Sequence, residues 1–222
     1  MSIMPYPSKI DSQAIVDGAV DLLEREGQEA LTLRRLAREV GVTANALYRY
    51  FSSLDALIAA AADAVARRLY LAIEQGMAEL PGHADEEARV RKLLKVYSDF
   101  AESNPTLYRT FLSAKAEAAA DLPQPRYHEL LWPKVVSIIQ PLVGSDDAPA
   151  ATVTLWGLLH GIWALRQADV LGGRKPSEID DYAFDALIQG LRSLRRRSAS
   201  RHHSRARRIR VKRPSRQPST TT

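Results

Sequence analysis

The sequence predicts an all-α fold, and three observations support this prediction. Between residues 8 and 194, apolar residues recur at helical spacing and few stretches alternate as strands do. Glycine, paired serines and proline divide the same stretch into about nine segments of helical length. The chain has 222 residues, of which 45% are hydrophobic, so it is long and apolar enough to bury a substantial core.

Four helices are expected in the first eighty residues, because a capping residue precedes each apolar run. The side chain of such a residue accepts a hydrogen bond from a free backbone N–H at the helix start. The predicted helices span residues 8–26, 32–40, 43–51 and 53–80, with Gly27 and Gly41 ending the first two. The predicted caps are Ser8 with Asp11, Thr32, Thr43, and Ser52 or Ser53.

Five further helices are expected in the remainder of the chain. They span about residues 85–103, 106–120, 126–143, 146–171 and 177–194. Pro133 and Pro141 fall inside the 126–143 segment, where proline removes a backbone donor and can kink a helix.

The positive charge of the chain is concentrated at its C-terminal end. Residues 195–222 hold eleven Lys or Arg and no Asp or Glu, so the net charge of +5 becomes −6 without them. This segment has almost no apolar residues to bury, and we therefore expect a disordered basic tail. It could bind DNA phosphates, RNA or an acidic partner, or only solvate the chain.

Several function classes are disfavoured by what the sequence lacks. There is no cysteine, so disulfides, thiolate metal sites and cysteine nucleophiles are excluded. No histidine has a second metal ligand at suitable spacing outside the adjacent pair His202 and His203, and no phosphate-binding glycine loop or nucleophile triad is present. We expect no cofactor, no metal site and no enzyme activity.

The expected location is the cytoplasm. The absence of cysteine suits a reducing compartment. The first nine residues contain no apolar stretch of signal-peptide length, and no window approaches about 18 uninterrupted apolar residues.

The segment from Leu31 to Phe51 has the pattern of two short helices joined by a tight turn. The residues expected to face inward are Leu33, Leu36, Ala37, Val40, Val42, Leu47 and Phe51. Near the start of the third helix, the residues expected to face outward are Thr43, Ala44, Asn45, Tyr48 and Arg49. In helix-turn-helix proteins, the start of the motif's second helix, here the third helix of the chain, enters the major groove.

The outward-facing side chains have the chemistry that DNA requires. Asn45 can pair with an adenine edge, and Arg49 can reach a guanine or a phosphate. The hydroxyl groups can donate to phosphates, and arginines on the preceding helix add positive charge. The predicted DNA-binding residues are Thr32, Arg34, Thr43, Ala44, Asn45, Tyr48, Arg49 and Tyr50. Residues 1–51 hold seven acidic and six basic residues, so bulk positive charge cannot give the head its affinity for DNA. That affinity must come from the placement of the basic residues towards the DNA and of the acidic residues on the side facing away from it.

This segment carries a resemblance to a known family. Residues 27–51, GQEALTLRRLAREVGVTANALYRYF, resemble the DNA-binding domain of TetR-family regulators, and residues 52–57, SSLDAL, resemble the start of that family's linking helix. The resemblance implies a three-helix head and a six-helix body that dimerises and binds a small molecule. It gives a DNA-binding domain over 1–53, a ligand-binding and dimerisation domain over 54–194, and the tail over 195–222. The family usually has a phosphate-binding Lys where this chain has Leu54.

Aromatic residues are concentrated in the predicted body. Several are three or four residues apart and therefore share a helix face. The candidate ligand-binding residues are Tyr97, Phe100, Tyr108, Phe111, Trp132, Trp156, His160 and Trp163. The alternative is a packed aromatic core in which His160 only satisfies a neighbour.

A glycine-containing stretch points to the dimer interface. Residues 155–161, LWGLLHG, resemble the Trp-His-Gly signature of one TetR-type body subclass. Gly157 and Gly161 each cost a helix about 1 kcal/mol relative to Ala, which suggests close approach of another helix. In the family, the last two helices form a dimeric four-helix bundle. We expect residues 156–166 and 182–194 to dimerise, with a stripe of Ala186, Leu187, Gly190, Leu191 and Leu194.

The predicted function is that of a ligand-responsive repressor. A homodimer would place two heads on successive major grooves about 34 Å apart and read a palindromic operator. Two alternatives stand beside it. One is a helical ligand-binding or interaction protein with a weakened or lost DNA-binding head, and the other, less favoured, is an enzyme on a helical scaffold.

Overall fold

The computed structural model describes residues 11–115, 118 and 126–211, with side chains as far as residue 196. This part of the chain forms nine α-helices and one short 3₁₀ turn, Gln28–Ala30, with no strands. The all-α prediction is confirmed. The helices are α1 Ser12–Glu26, α2 Leu33–Glu39, α3 Ala44–Leu47, α4 Leu54–Ala78, α5 Glu86–Ser103, α6 Pro105–Ser113, α7 Tyr127–Val143, α8 Ala148–Gln167 and α9 Pro176–Val211.

Side-chain caps fix the starts of the first four helices. Thr32, Thr43 and Ser53 accept hydrogen bonds from backbone N–H groups three residues on, at 3.1, 3.2 and 3.0 Å, as the sequence predicts. The first helix differs from its prediction. Asp11 alone caps α1, accepting from the N–H of Gln13 at 3.3 Å, and Ser8 lies outside the described residues.

The third helix is shorter than predicted, ending at Leu47 rather than Phe51. The N–H groups of Arg49 and Tyr50 bond to carbonyls three residues back, at 3.3 and 2.9 Å, which tightens the chain into 3₁₀-like turns. This tightening brings Phe51 round to the interior, where it is buried.

Three later helices also end elsewhere than predicted, and α8 is one of them because it ends at Gln167 rather than near residue 171. The 106–120 prediction is wrong in length, because α6 ends at Ser113, and most of residues 116–125 lie outside the described part. At the other end of the chain, α9 continues to Val211, so residues 195–211 are helical where the sequence predicts disorder. Arg and Ala are good helix formers and α9 is already nucleated by packing, which explains the continuation.

The head has a core of its own. The largest fully buried side chains there are Ile15, Leu22, Leu23, Leu36, Leu47 and Leu57. The first half of α4 belongs to this core through Leu57, Ala61 and Val65. The head therefore extends beyond the predicted boundary at residue 53 and is completed by the connecting helix.

A second core holds the body together. It is formed by α4, α5, α7, α8 and α9, and it includes Ile73, Leu93, Ile139 and Phe184. Phe100 and Phe111 are half-buried and pack against both cores. These two rings join the head to the body.

The body has two ends, called poles here. One pole contacts the head, and the far pole lies about the length of α4 away from it. The 25 residues of α4 extend about 37 Å from the head at 1.5 Å per residue. α5 returns antiparallel to it, since Lys92 near the start of α5 bonds Glu79 at the end of α4 at 2.7 Å, while Phe100 reaches the head core. The far pole is therefore formed by the end of α4 and the start of α5.

α8 is both long and strongly apolar. By length and composition alone it could cross a membrane, although no membrane is present in the structure. One face of α8 packs against α5, α7 and α9 in the body. Its high apolar content therefore includes both this packed face and a second, solvent-exposed face.

Candidate DNA-binding head and effector site

Two glycines set the geometry of the helix-turn-helix. Gly41, with φ of 73°, forms the turn between α2 and α3 in a conformation that other residues rarely adopt. Gly18 in α1 faces α2 so closely that a Cβ atom there would lie 2.6 Å from a methyl group of Val40. Gly18 was not among the residues predicted from the sequence, where its signal was a glycine inside an otherwise regular helix.

Most of the predicted DNA-binding residues are exposed, in or next to α3 and at the start of α2. Thr43, Asn45 and Arg49 are exposed, and Tyr48 is 56% exposed although it is a large aromatic residue. Thr32 and Arg34 are exposed at the start of α2. Ala44 and Tyr50 are different, because both are partly buried against the head core. Thr32 and Thr43 also serve as helix caps, so their hydroxyl groups are partly engaged.

Three acidic residues of the head, Glu24, Glu26 and Glu39, are paired with arginines. Arg35 bonds Glu26 and Glu39 at 2.5 and 2.7 Å, and Arg25 bonds Glu39 at 2.6 Å. Hydrogen bonds from Arg25 and Arg35 lower the pKa of the Glu39 carboxyl. Glu24 is paired with Arg68 of α4. Arg35 is therefore occupied by ion pairs that join α1 to α2.

Three other arginines of the head remain free of carboxylates. Arg34, Arg38 and Arg49 make no salt bridge within the described ranges, and all three are exposed. Two of them lie on α2, and Arg49 follows the end of α3. An acidic head can in this way present local positive charge to a phosphate backbone.

An aromatic cluster lies between α5, α6 and α8 in the body. The ring of Tyr108 is fully buried at its centre, 5.8 Å from Tyr97, 6.3 Å from Phe111 and 4.9 Å from Trp163 between ring centroids. His160 completes the cluster, with its ring centroid 5.7 Å from that of Tyr108. Most of the candidate ligand-binding residues therefore meet in space.

Polar atoms form a chain within this cluster. The hydroxyl of Tyr108 lies 3.1 Å from Nδ1 of His160 and 3.4 Å from the hydroxyl of Tyr97. Trp163 donates from its indole to the carbonyl of Ala101 at 3.2 Å. Burial raises the pKa of Tyr97 well above its usual value and lowers that of His160, so both stay neutral near pH 7. The cluster thus offers neutral hydrogen-bonding groups among apolar rings.

Three of the candidate ligand-binding residues lie at or beyond the margin of the cluster. Trp156 is 41% exposed on α8, although it is close enough to Tyr97 to lower the pKa of that phenol slightly against the effect of burial. Phe100 is half-buried between the two cores. Trp132 is 42% exposed on α7, away from the other rings, so its inclusion in the set is not supported by the geometry. Its helix buries the neighbouring Leu131 instead.

A cleft separates part of the head from the body. It has a volume of about 800 Å³ and lies beside α1, the end of α3, α4 and α7, with Val16, Tyr50, Arg67 and Tyr127 among its walls. The outer face of α1 is therefore not covered by the body, and the head is attached to the body mainly through α4 and α6.

Comparisons with known proteins match both parts of this architecture. The model of the bacterial regulatory proteins of the tetR family matches residues 15–61. The model of the tetracyclin repressor-like C-terminal domain matches residues 90–191. The chain belongs to the TetR family. It is a helix-turn-helix transcriptional regulator, and the resemblance drawn from residues 27–57 is confirmed.

Individual relatives agree with this assignment. The chain is 27% identical over 186 residues to an uncharacterized HTH-type transcriptional regulator, Rv0681, of Mycobacterium tuberculosis, covering 82% of this chain and 78% of the relative. It is 30% identical over 158 residues to the nucleoid occlusion factor SlmA of Mannheimia succiniciproducens, covering 63% and 70%. A TetR variant from Acinetobacter baumannii, solved with minocycline, has the same fold, with a TM-score of 0.64, 18% identity, and coverage of 84% and 98%.

As in a TetR-family body, α8 and α9 end the folded part, and here both leave an apolar face uncovered. Val153, Leu165 and Leu194 are 57%, 50% and 47% exposed, and Tyr182 is 79% exposed. A Cβ atom added at Gly157, Gly161 or Gly190 would meet no other atom within 4 Å. Packing inside this chain therefore does not account for these three helical glycines.

A buried polar link that was not predicted from the sequence joins α8 to α9 and α5. Arg166 of α8 bonds Asp180 of α9 at 2.5 Å, and Ser98 of α5 donates to the same Asp180 at 2.9 Å. The arginine and aspartate side chains are only 9% and 10% exposed. A lone Arg at the end of an apolar helix was the available signal, but its partner lies 14 residues on, across a loop.

Proposed function

We propose that this regulator is a repressor that binds a palindromic operator as a homodimer and is released from it by a small-molecule effector. The observation that carries the proposal is the open face of α3, where Asn45, Tyr48 and Arg49 are exposed beside unpaired arginines. Exposed aromatic and amide side chains at the start of a recognition helix are suited to base edges and phosphates. The cytoplasm, where such a regulator meets DNA, is the proposed location.

Selection from random DNA with the purified full chain tests the DNA-binding part. We expect enrichment of an inverted repeat whose half-sites are centred about 34 Å, or one helical turn, apart. If no sequence is enriched, the alternative of an interaction protein with a lost DNA-binding head is favoured instead. The half-buried Leu54, in place of a phosphate-binding Lys, is the observation that keeps this alternative open.

A neighbouring pair of residues provides a sharper test on the selected operator. Tyr48→Ala removes an exposed ring, so operator affinity should fall about tenfold while the melting temperature is unchanged, as expected for one lost DNA contact. Leu47→Ala removes a fully buried side chain and should cost about 2–5 kcal/mol of stability. An operator affinity that is unaltered by Tyr48→Ala would contradict the proposed role of this face.

The proposed homodimer uses the exposed faces of α8 and α9. Large apolar side chains rarely stay in water over a continuous face, and such a face usually marks an association site. The glycines at 157, 161 and 190 would let a partner helix approach closely. Such an approach would explain why glycine occurs there although it destabilises a helix. A molar mass of one chain at micromolar concentration would refute this interface.

The proposed effector site is the aromatic cluster around Tyr108. In this structure the rings are in contact, so an effector must separate them and replace their hydrogen bonds. The neutral phenols and imidazole favour an uncharged or weakly charged aromatic ligand with hydrogen-bonding groups. The fold shared with the minocycline-bound TetR variant supports a ligand site within the body.

The effector site is tested by screening aromatic compounds for two linked effects. A true effector should quench the fluorescence of Trp163 or Trp156 and weaken operator binding in proportion to its unequal affinity for the two states. Tyr108→Phe should weaken the effector without changing operator affinity in its absence. A compound that binds the cluster but leaves operator binding unchanged would contradict the coupling.

A further inference from the structure

A polar contact joins α7 of the body to the part of α4 that completes the head. Asp63 of α4 accepts a hydrogen bond from the backbone N–H of His128, the second residue of α7, at 3.0 Å. The same carboxylate oxygen lies 2.8 Å from Nδ1 of the His128 ring. Because an ionised carboxylate can only accept, Nδ1 carries a proton and donates it to Asp63. One oxygen of Asp63 thus holds both the backbone and the side chain of His128.

This contact gives α7 a cap that comes from another helix. The first helices, α1 to α5, are each capped by the side chain of the residue directly before them. Arg126, in the corresponding position before α7, makes no such bond within the described ranges. The first N–H groups of a helix have no acceptor inside that helix, and a carboxylate is a favourable partner for them. Asp63 supplies this acceptor to α7 from the side of α4.

Asp63 lies where α4 passes from the head core to the body core. Ala61 and Val65, on either side of it, belong to the head core, whereas Ala66 and Leu69 belong to the body core. The side chain of Asp63 is only 15% exposed, so its carboxylate would be costly to leave without hydrogen bonds. The bond to α7 therefore restrains α4 at the junction between head and body.

α7 also contacts the helices that carry the aromatic cluster. It packs against α5, which bears Tyr97, and against α8, which bears His160 and Trp163. A displacement of α5 or α8 would therefore be felt by α7 and, through Asp63, by the head-side half of α4.

We propose that Asp63 is a positioning residue for the DNA-binding head. By capping α7 from α4, it fixes the orientation of the head relative to the body, and thereby the spacing of the two heads in the dimer. This inference deepens the proposed function and rests on its homodimer and its operator. Without the cap the head would adopt a broader range of orientations. Fewer dimers would then have the spacing that the operator requires, and the apparent affinity falls with that fraction.

Operator binding by Asp63→Ala and by a matched control tests this role. Asp85→Ala is the control, because Asp85 also caps a body helix, accepting from the N–H of Ala88 at 2.8 Å, but does so at the far pole. We expect Asp63→Ala to bind the full operator at least about fivefold more weakly, the lower end of the usual coupling between sites, and to bind a single half-site as wild type does. It should also discriminate less against an operator with an extra base pair between the half-sites. Asp85→Ala should lower the melting temperature but leave all three properties unchanged, and the same operator binding by both variants would overturn the inference.

Two further variants separate the cap from the rest of the contact. Asp63→Asn should keep most of the operator affinity, because its carboxamide oxygen can still accept from the backbone N–H. His128→Ala should do so as well, since it removes the ring but leaves that N–H in place. A loss in either variant as large as in Asp63→Ala would overturn the capping role.

A measurement without DNA separates this inference from the proposed function. The chain has no cysteine, so Asn45→Cys in α3 and Ser137→Cys in α7, both at exposed positions, place one spin label in the head and one in the body. Labelled chains are diluted with unlabelled chains, and the distance distribution between the two labels is measured by pulsed electron paramagnetic resonance. It should be broader in Asp63→Ala than in wild type or Asp85→Ala, and equal widths would overturn the inference. A broader distribution in a protein that selects no operator would refute the proposed function alone.

Discussion

Leu54 occupies the first position of α4, directly after the cap Ser53, and packs partly against the head core. The family resemblance leads us to expect Lys at this position, which would place one more cation at the edge of the DNA. In the proposed DNA complex, Arg34 and Arg38 of α2 and Arg49, which follows α3, would supply the phosphate contacts. Charge at a single position therefore distinguishes this head from its usual form.

Restoring that charge gives a residue-scale prediction. Leu54→Lys should raise operator affinity at low salt and steepen the log–log salt dependence by about 0.9, the value for one additional phosphate contact. The long alkyl stem of Lys can keep part of the packing of Leu54. Titrations at several salt concentrations measure the slope, and Leu54→Gln serves as the uncharged control. An equal slope in both variants would show that this position does not face a phosphate.

His160 gives a second prediction at the same scale, based on its burial. Burial lowers the pKa of His160 in the folded state, whereas the unfolded chain keeps an ordinary value near 6.5. Below about pH 6.5 the unfolded state therefore binds the extra proton first, and stability falls as the pH decreases towards the folded-state pKa.

His160→Gln should reduce this loss of stability between about pH 7 and 5, because the titrating group is removed. Urea unfolding at a series of pH values measures the change, and His83→Gln, at an exposed loop position, should leave the wild-type pH dependence unaltered. A pH profile that is identical in His160→Gln and wild type would mean that the imidazole is as easily protonated in the folded chain as in the unfolded one.

At the scale of elements, the link between α8 and α9 depends on the buried pair Arg166 and Asp180. Asp180→Ala leaves a buried guanidinium without its carboxylate, which typically costs about 3–5 kcal/mol. The double change Arg166→Met with Asp180→Ala should recover much of that loss. Urea denaturation with an unchanged m-value measures both.

An exposed ion pair that also joins α9 to α5, Arg91 with Asp185, provides the control. Arg91→Met breaks the pair with Asp185, whose side chain is 56% exposed, and should cost at most about 1 kcal/mol. If Asp180→Ala is as mild as Arg91→Met, the buried pair does not fasten α9 to the body.

The starts of the helices could be predicted from the sequence more accurately than their ends or the contacts between them. Helix starts could be predicted because a cap is a local signal, as at Thr32, Thr43 and Ser53. Helix ends were less accurate, because the tightened turn after Leu47 depends on burying Phe51, a tertiary effect. Trp132 was likewise predicted to bind the ligand because aromatic residues are concentrated in the body. The spacing of residues along one helix does not determine which other helix that helix packs against. The close contact of Gly18 with Val40 could not be predicted either, because it is a contact between two helices.

At the scale of the whole molecule, dimerisation should determine operator recognition. Gly161→Leu adds a side chain to the open face of α8, where a Cβ atom meets nothing within the chain. The monomer should fold normally, but the dimer and the affinity for the full palindrome should be lost, while weak half-site binding remains. Sedimentation and titration on full and half operators measure these outcomes.

Gly82→Leu is the matched control, since Gly82 is also exposed and equally free of neighbours but lies in the loop before α5. It should leave both mass and affinity unchanged. A dimer that survives Gly161→Leu would place the interface on another face of the body.

Phe100 and Phe111 are each packed against two cores at once. Close-packed interiors do not deform continuously, so a ring shared by two of them cannot be displaced in one without leaving a void or a clash in the other. We therefore expect a change in the packing of the body around either ring to shift the orientation of the head. Mutations that resize either ring should change how strongly effector and operator oppose each other, even though neither ring needs to touch DNA.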